Sequence, residues 1–165
     1  MDFRRIIKHL SVGHAAVQRC FSRAALRNIE NTIAGVEQTY AGQIRFAVEH
    51  ALDLRALVDG QSARQRAIEV FSQLHVWDTE HNNGVLIYLL LADRDVEIIA
   101  DRGVLAELGQ TVLESVCMEM EALFRQGKFE EGVIAGIRTL GVILARHYPN
   151  NYIKYNELSN DAVIL

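Results

Sequence analysis

The sequence predicts an α/β chain: a single-domain α/β/α sandwich whose small mixed sheet contains a β-hairpin at about 84–100 and is flanked by helices. Gly84 to Ala92 reads GVLIYLLLA, apolar on both faces, as a central strand covered from each side has to be. Only Asp93-Arg94-Asp95 separates it from a second apolar run, Val96 to Ala100, and so short a link closes an antiparallel hairpin. On either side of these runs apolar residues recur at helical spacing, which gives the order α-β-α-β-β-α-α of a helix-covered sheet.

Taken in order, residues 2–10 place Phe3, Ile6, Ile7 and Leu10 at helical spacing beside Arg4, Arg5, Lys8 and His9. That is a short amphipathic helix, suited to docking on the domain or to lying on an anionic membrane surface. Ser22 is a side-chain N-cap for a helix to about Tyr40, with Leu26, Ile29, Ile33 and Val36 as its stripe. Gly42 ends it, and QIRFAVEH (Gln43 to His50) alternates as a strand with Ile44, Phe46 and Val48 on one face. Asp59-Gly60 marks a turn. Ser62 then caps a helix to about Leu74 that turns Ala67, Ile68, Phe71 and Leu74 inward.

After the hairpin a helix from about Gln110 to Arg125 faces Val112, Val116, Met120 and Leu123 or Phe124 inward, Gly127 breaks it, and another runs from Phe129 to His147. Gly132, Gly136 and Gly141 lie inside that last helix, where each costs about 1 kcal/mol relative to alanine, so they predict close approach of a neighbour. Pro149 stops it. The chain thus divides into an N-terminal amphipathic segment (1–21), the α/β domain (22–148) and a flexible C-terminal tail (149–165).

Composition removes several functions. With 165 residues, half of them hydrophobic, the chain is large enough for a core without disulfides or a structural metal. Its net charge of −4, with Lys and Arg scattered, is the wrong balance for a nucleic-acid binder. No apolar run approaches the roughly 20 residues that span a bilayer, and the N-terminus has no secretory core, which predicts a soluble cytoplasmic protein. Cys20 and Cys117, far apart, read as reduced, mostly buried thiols. There is no phosphate-cradling GxxxxGK[ST] or GxGxxG, no GxSxG elbow and no HxxxH pair among the six histidines. Asp93-x-Asp95 imitates the DxD of aspartate-nucleophile phosphatases, yet a strand follows it where that chemistry needs a loop, so it reads as a hairpin turn.

Three stretches, GQIRFAVE (42–49), VFSQLHVWDTEHNNGVLIYLLLADRDVEIIADRG (70–103) and FRQGKFEEGVIAGI (124–137), resemble the TPM-domain family, long filed as a domain of unknown function. "NNGVL" followed by strand, tight turn and strand is the most specific part, and the likeness covers roughly 23–147. The resemblance implies a helix-flanked mixed sheet in a small bacterial branch without a membrane span. It also implies phosphatase activity or divalent-cation binding, as reported for some members, and association with membranes, as for many. The chain departs from the family's acidic positions: Gln43 stands where an acid is usual, the early Asp near Ser22 is missing, and around Gly109 and Gln110 only Glu107 is close.

A site is expected where strand ends converge. With the first two strands parallel and the hairpin antiparallel, Asp78, Glu80, Asn82 and Asp101 share one rim, an oxygen-rich set suited to Ca2+ or Mg2+, with His81, Asn83 and Arg102 beside it. Those same residues also serve as turn caps and as an Asp101–Arg102 ion pair, and Trp77 is expected in the core. No catalytic residue is singled out. The functional expectation is a non-catalytic binding or interaction module with an unknown partner, in reach of a membrane protein. Its contact surfaces are residues 2–10, the glycine-containing last helix and the terminal AVIL. The alternative is a divalent-metal-dependent phosphatase of low activity.

Overall fold

Alternation along one strand decides the layers. In the computed structural model, which describes residues 2–149 and 156–165, β1 (Gln43–Glu49) sends Ile44, Phe46 and Val48 into one core and Ala47 into another. β2 (Gly84–Leu90) is buried along its whole length, as its doubly apolar sequence requires. It pairs parallel with β1, Gln43 opposite Gly84 and Glu49 opposite Leu90, and antiparallel with β3 (Asp95–Ala100). The described sheet has the order β3-β2-β1-β4, with β4 (Val163–Ile164) beside β1.

Helices cover both faces. On one side lie α3 (Arg23–Glu37), α7 (Gln110–Arg125) and α8 (Phe129–His147), which contribute Ile29, Ile33, Val116, Met120, Ile137 and Leu140 to the larger core. On the other lie α1 (Phe3–Ser11), α4 (Leu54–Val58) and α5 (Ala63–Gln73), which contribute Ile6, Leu57, Ala63, Ala67 and Val70. The predicted caps hold. Ser22 Oγ accepts the Ala25 N–H at 3.1 Å, and Ser62 forms a reciprocal capping box with Gln65. The last helix's glycines are used as expected. A Cβ at Gly132 would lie 2.6 Å from the Phe124 ring, and one at Gly136 or Gly141 would collide with Met120 or Val36.

Several expectations are corrected. Three short helices were not foreseen: α2 (His14–Cys20), α4, and α6 (Arg102–Leu108). Each is too short to show a repeating stripe. Ile68 of α5 points outward, 48% exposed, because Ala63, Ala67 and Val70 form the buried face. In α7 it is Leu113, not Val112, that is fully buried. The expected flexible tail ends in β4 (Val163–Ile164), parallel to β1, with the Leu165 N–H on Val48 O at 2.9 Å. Residues 150–155 of that tail lie outside the described residues. Cys20 and Cys117 are free and partly buried, and burial pushes the Cys117 thiol up to about 12, which keeps it protonated.

Candidate functional site

The predicted rim forms where β1 and β2 begin and β3 ends. The Asp101 N–H bonds Gly84 O at 2.9 Å and the Gly103 N–H bonds Asn82 O at 3.2 Å, so the loop before β2 and the start of α6 are stitched together. Asn82 takes a positive φ of 51°, which asparagine tolerates in turns, and its Oδ1 accepts Arg102 Nε–H at 3.1 Å. Asn83 is buried, its N–H on Thr79 Oγ1 at 3.1 Å and its side-chain amide on Ala41 O. Gly84 has no alternative, since any Cβ there would run into the Val76 carbonyl.

Only part of the predicted set converges. Asp101 Oδ1 caps α6 by accepting the Arg102 N–H at 2.7 Å rather than pairing with the guanidinium. Asp78 and His81 are exposed, and Glu80 offers its backbone N–H to Glu157 Oε2 at 2.8 Å. Among the described residues no three His, Cys, Asp or Glu side chains form a group able to hold a metal ion. Three buried side-chain atoms here lack a hydrogen-bond partner: Asp101 Oδ2, Asn83 Oδ1 and Gln43 Nε2. The two oxygens suit a hard cation. Gln43 does not: its Oε1 is taken by the Leu158 N–H at 3.0 Å, and its free end is a donor. Trp77, expected in the core, is 49% exposed beside His75.

The opposite rim, at the carboxyl ends of β1 and β2, was not singled out in the sequence, and its polar groups are paired. Arg66 of α5 grips Glu49 with Nε on Oε2 at 2.9 Å and Nη2 on Oε1 at 3.2 Å, and Tyr88 donates its O–H to Oε2 at 2.6 Å. Burial, and then the Glu49 carboxylate, drive the Tyr88 hydroxyl far above its ordinary range. This network borders an open cleft of about 860 Å³ that also takes in His50, Asp53, Arg55 and Gln61. Open α/β sheets present their ligand crevices at the carboxyl ends of strands.

The same rim holds the N-terminal helix. Asp93, in the hairpin turn, receives Arg5 Nε at 2.9 Å and Lys8 Nζ at 3.5 Å, and lies 3.1 Å from His9 Nε2. Arg5 Nη1 also reaches Gln61 O at 2.8 Å, and the Leu52 N–H donates to His9 Nδ1 at 3.0 Å. Asp93 therefore anchors the N-terminal helix. Although burial opposes it, Arg5 and His9 hold its carboxyl below the usual range. Asp95 is the contrary case, raised to about 6 by burial and then by Glu97 and Glu121. The clamp leaves Phe3, Ile7 and Leu10 facing outward at 68%, 65% and 71% exposure. In the sequence the signal was the basic cluster beside the stripe, but nothing local names Asp93 as its partner.

The comparisons agree with this architecture. The family model of the TPM domain matches residues 17–143. The BA42 protein of the psychrophilic bacterium Bizionia argentinensis, solved by NMR, superposes with a TM-score of 0.78 at 26% identity, covering 88% of this chain and 95% of that one. The N-terminal domain of a P. gingivalis protein superposes with a TM-score of 0.65 at 17% identity, covering 82% and 83% of the two chains, a likeness of fold. A search of curated proteins finds no match. No helix of the described residues is long and apolar enough to cross a membrane.

Proposed function

Because the chain belongs to the TPM-domain family, we propose that it works as a non-catalytic binding module whose docking element is α1 and whose partner is a protein at the cytoplasmic face of a bacterial membrane. The observation that supports this reading is the outward ridge of Phe3, Ile7 and Leu10 on a helix that polar contacts hold in place. Burying such side chains is worth about 1.5–3 kcal/mol each, and a helix ordered in advance spares a partner the cost of ordering it. Two other candidate contact surfaces are consumed inside the fold: the α8 glycines face Phe124, Met120 and Val36, and the terminal Val163–Ile164 pairs with β1. Arg4, exposed, and Lys8, half-exposed, flank the ridge with positive charge.

The test is fractionation of cells expressing the native chain and the triple variant Phe3→Ser/Ile7→Ser/Leu10→Ser. The native chain is expected with the membranes and the variant in the supernatant, with circular dichroism showing both folded. Equal partition of the two ends this reading. The second reading, a metal-dependent phosphatase, rests on Asp101 Oδ2 and Asn83 Oδ1. It requires saturable heat on titration with Ca2+, Mg2+ or Mn2+ that Asp101→Asn abolishes, and turnover of a generic phosphate ester that depends on the same ion.

A further inference from the structure

We infer that His9 makes the docking of α1 on the domain acid-labile, so that the helix that carries the ridge is latched at neutral pH and released when the medium acidifies. The inference rests on the reading of α1 as the docking element and names its regulation.

The geometry fixes the protonation state. His9 is 2% exposed, and its Nδ1 accepts the Leu52 N–H at 3.0 Å. An acceptor at Nδ1 is a bare lone pair, so in the docked state the ring is neutral and its one proton sits on Nε2, which lies 3.1 Å from Asp93 Oδ2 without the alignment of a hydrogen bond. A second proton can go only to Nδ1, and there it would point a donor at a donor. The charged groups around the ring are Asp93 from the hairpin turn and Arg5 and Lys8 from α1 itself. Asp93 favours the imidazolium, while burial above all, then Arg5 and Lys8, oppose it, and the ring titrates below its ordinary 6.5. Asp93 is held below the usual carboxylate range and stays charged as the ring titrates.

Undocked, His9 meets water and titrates near 6.5. A group that must be neutral in one state and protonates freely in the other drives the equilibrium toward the second as pH falls. Sign and window follow. The docked state is undisturbed above about 7, loses ground as pH falls through 6.5, and at pH 5.0 is disfavoured by up to about 30-fold relative to neutral pH. Release leaves Arg5, Lys8 and an imidazolium on one mobile segment beside Phe3, Ile7 and Leu10.

Hydrogen exchange of the purified chain, alone and with rates divided by their intrinsic pH dependence, tests the latch. The expected result is protection of α1 amides falling by about ten- to thirty-fold between pH 7.5 and 5.0 while β1 and β2 amides keep theirs, and no such step in His9→Gln. Constant protection of α1, or the same step in His9→Gln, overturns it. If His9→Gln undocks α1 outright, the imidazole ¹⁵N titration of the native chain decides alone, and a midpoint at or above 6.5 overturns the latch. Neither readout contains a membrane or partner, so the latch and the docking reading fail separately.

Discussion

Replacing Arg66 with methionine removes the cation from the buried pair at the carboxyl ends of the strands and keeps most of its apolar stem. In the native fold the Glu49 carboxylate takes two guanidinium N–H groups and the Tyr88 O–H, with side-chain exposure of 11% for Glu49 and 20% for Arg66. The variant leaves Glu49 with one neutral donor. Stranding a buried charge in this way costs about 3–5 kcal/mol, and the half-exposed Arg66–Glu69 bridge adds about 0–1 kcal/mol. Urea unfolding at pH 7.5 should show a loss of about 4 kcal/mol, a large part of the total stability of such a domain. The pH dependence separates charge from packing. A stranded buried carboxylate costs stability only while it is charged, so the penalty fades in acid. Glu49→Gln/Arg66→Met should recover at least half of the loss. A penalty below about 1 kcal/mol at pH 7.5, or an equal one at pH 4.5, refutes the assignment of this pair as buried and mutually dependent.

Two further substitutions probe other links. Gly84→Ala forces a Cβ into the Val76 carbonyl, a backbone atom that cannot rotate away, and should cost about 3 kcal/mol or more in the same assay; a change under 1 kcal/mol contradicts the close packing of the loop before β2. Asp95→Asn should stabilise. Its carboxyl is raised to about 6 in the fold, so ionisation costs stability as pH climbs from about 4 past 6, and after solvent screening the gain is about 1 kcal/mol at pH 7.5 and nothing at pH 3.5. A thermal midpoint for Asp95→Asn that does not exceed the native one at pH 7.5 counts against it.

What the sequence made legible was local. The hairpin, β1, α7 and α8 each carry a period long enough to read, and the α8 glycines announced a close neighbour that proved to be Met120, Phe124 and Val36. β4 is two residues long and exists only because the edge of β1 is there to pair with it, which no pattern within NELSNDAVIL encodes. Which strand ends meet at the rim follows from parallel and antiparallel pairing. Where its side chains point does not, because side-chain aim depends on partners remote in the chain: Glu80 answers to Glu157, and Gln43 to Leu158. The DxD showed the same limit. The sequence reads Asp93 as part of a hairpin turn, and its work as an anchor is visible only once Arg5, Lys8 and His9 come to rest against it.

The strength of that anchor bears on whether α1 can move. A helix of nine residues does not persist alone in water, so its order comes from docking. Docking buries one large apolar side chain of α1, Ile6, worth about 1.5–3 kcal/mol. The ion pairs to Asp93 involve partly exposed cations, worth about 0–1 kcal/mol each. Leu52 N–H, Gln61 O and Asp93 sit in loops at the rim, where water replaces the helix once it leaves. Docking is therefore a balance of a few kcal/mol, and the shift from His9 at pH 5.0, about 30-fold or about 2 kcal/mol, is of the same size. A helix buried through Phe3, Ile7 and Leu10 would be too firmly held for one proton to matter. With those three side chains outward and a buried histidine inward, α1 is held loosely enough for a single imidazole to set its position.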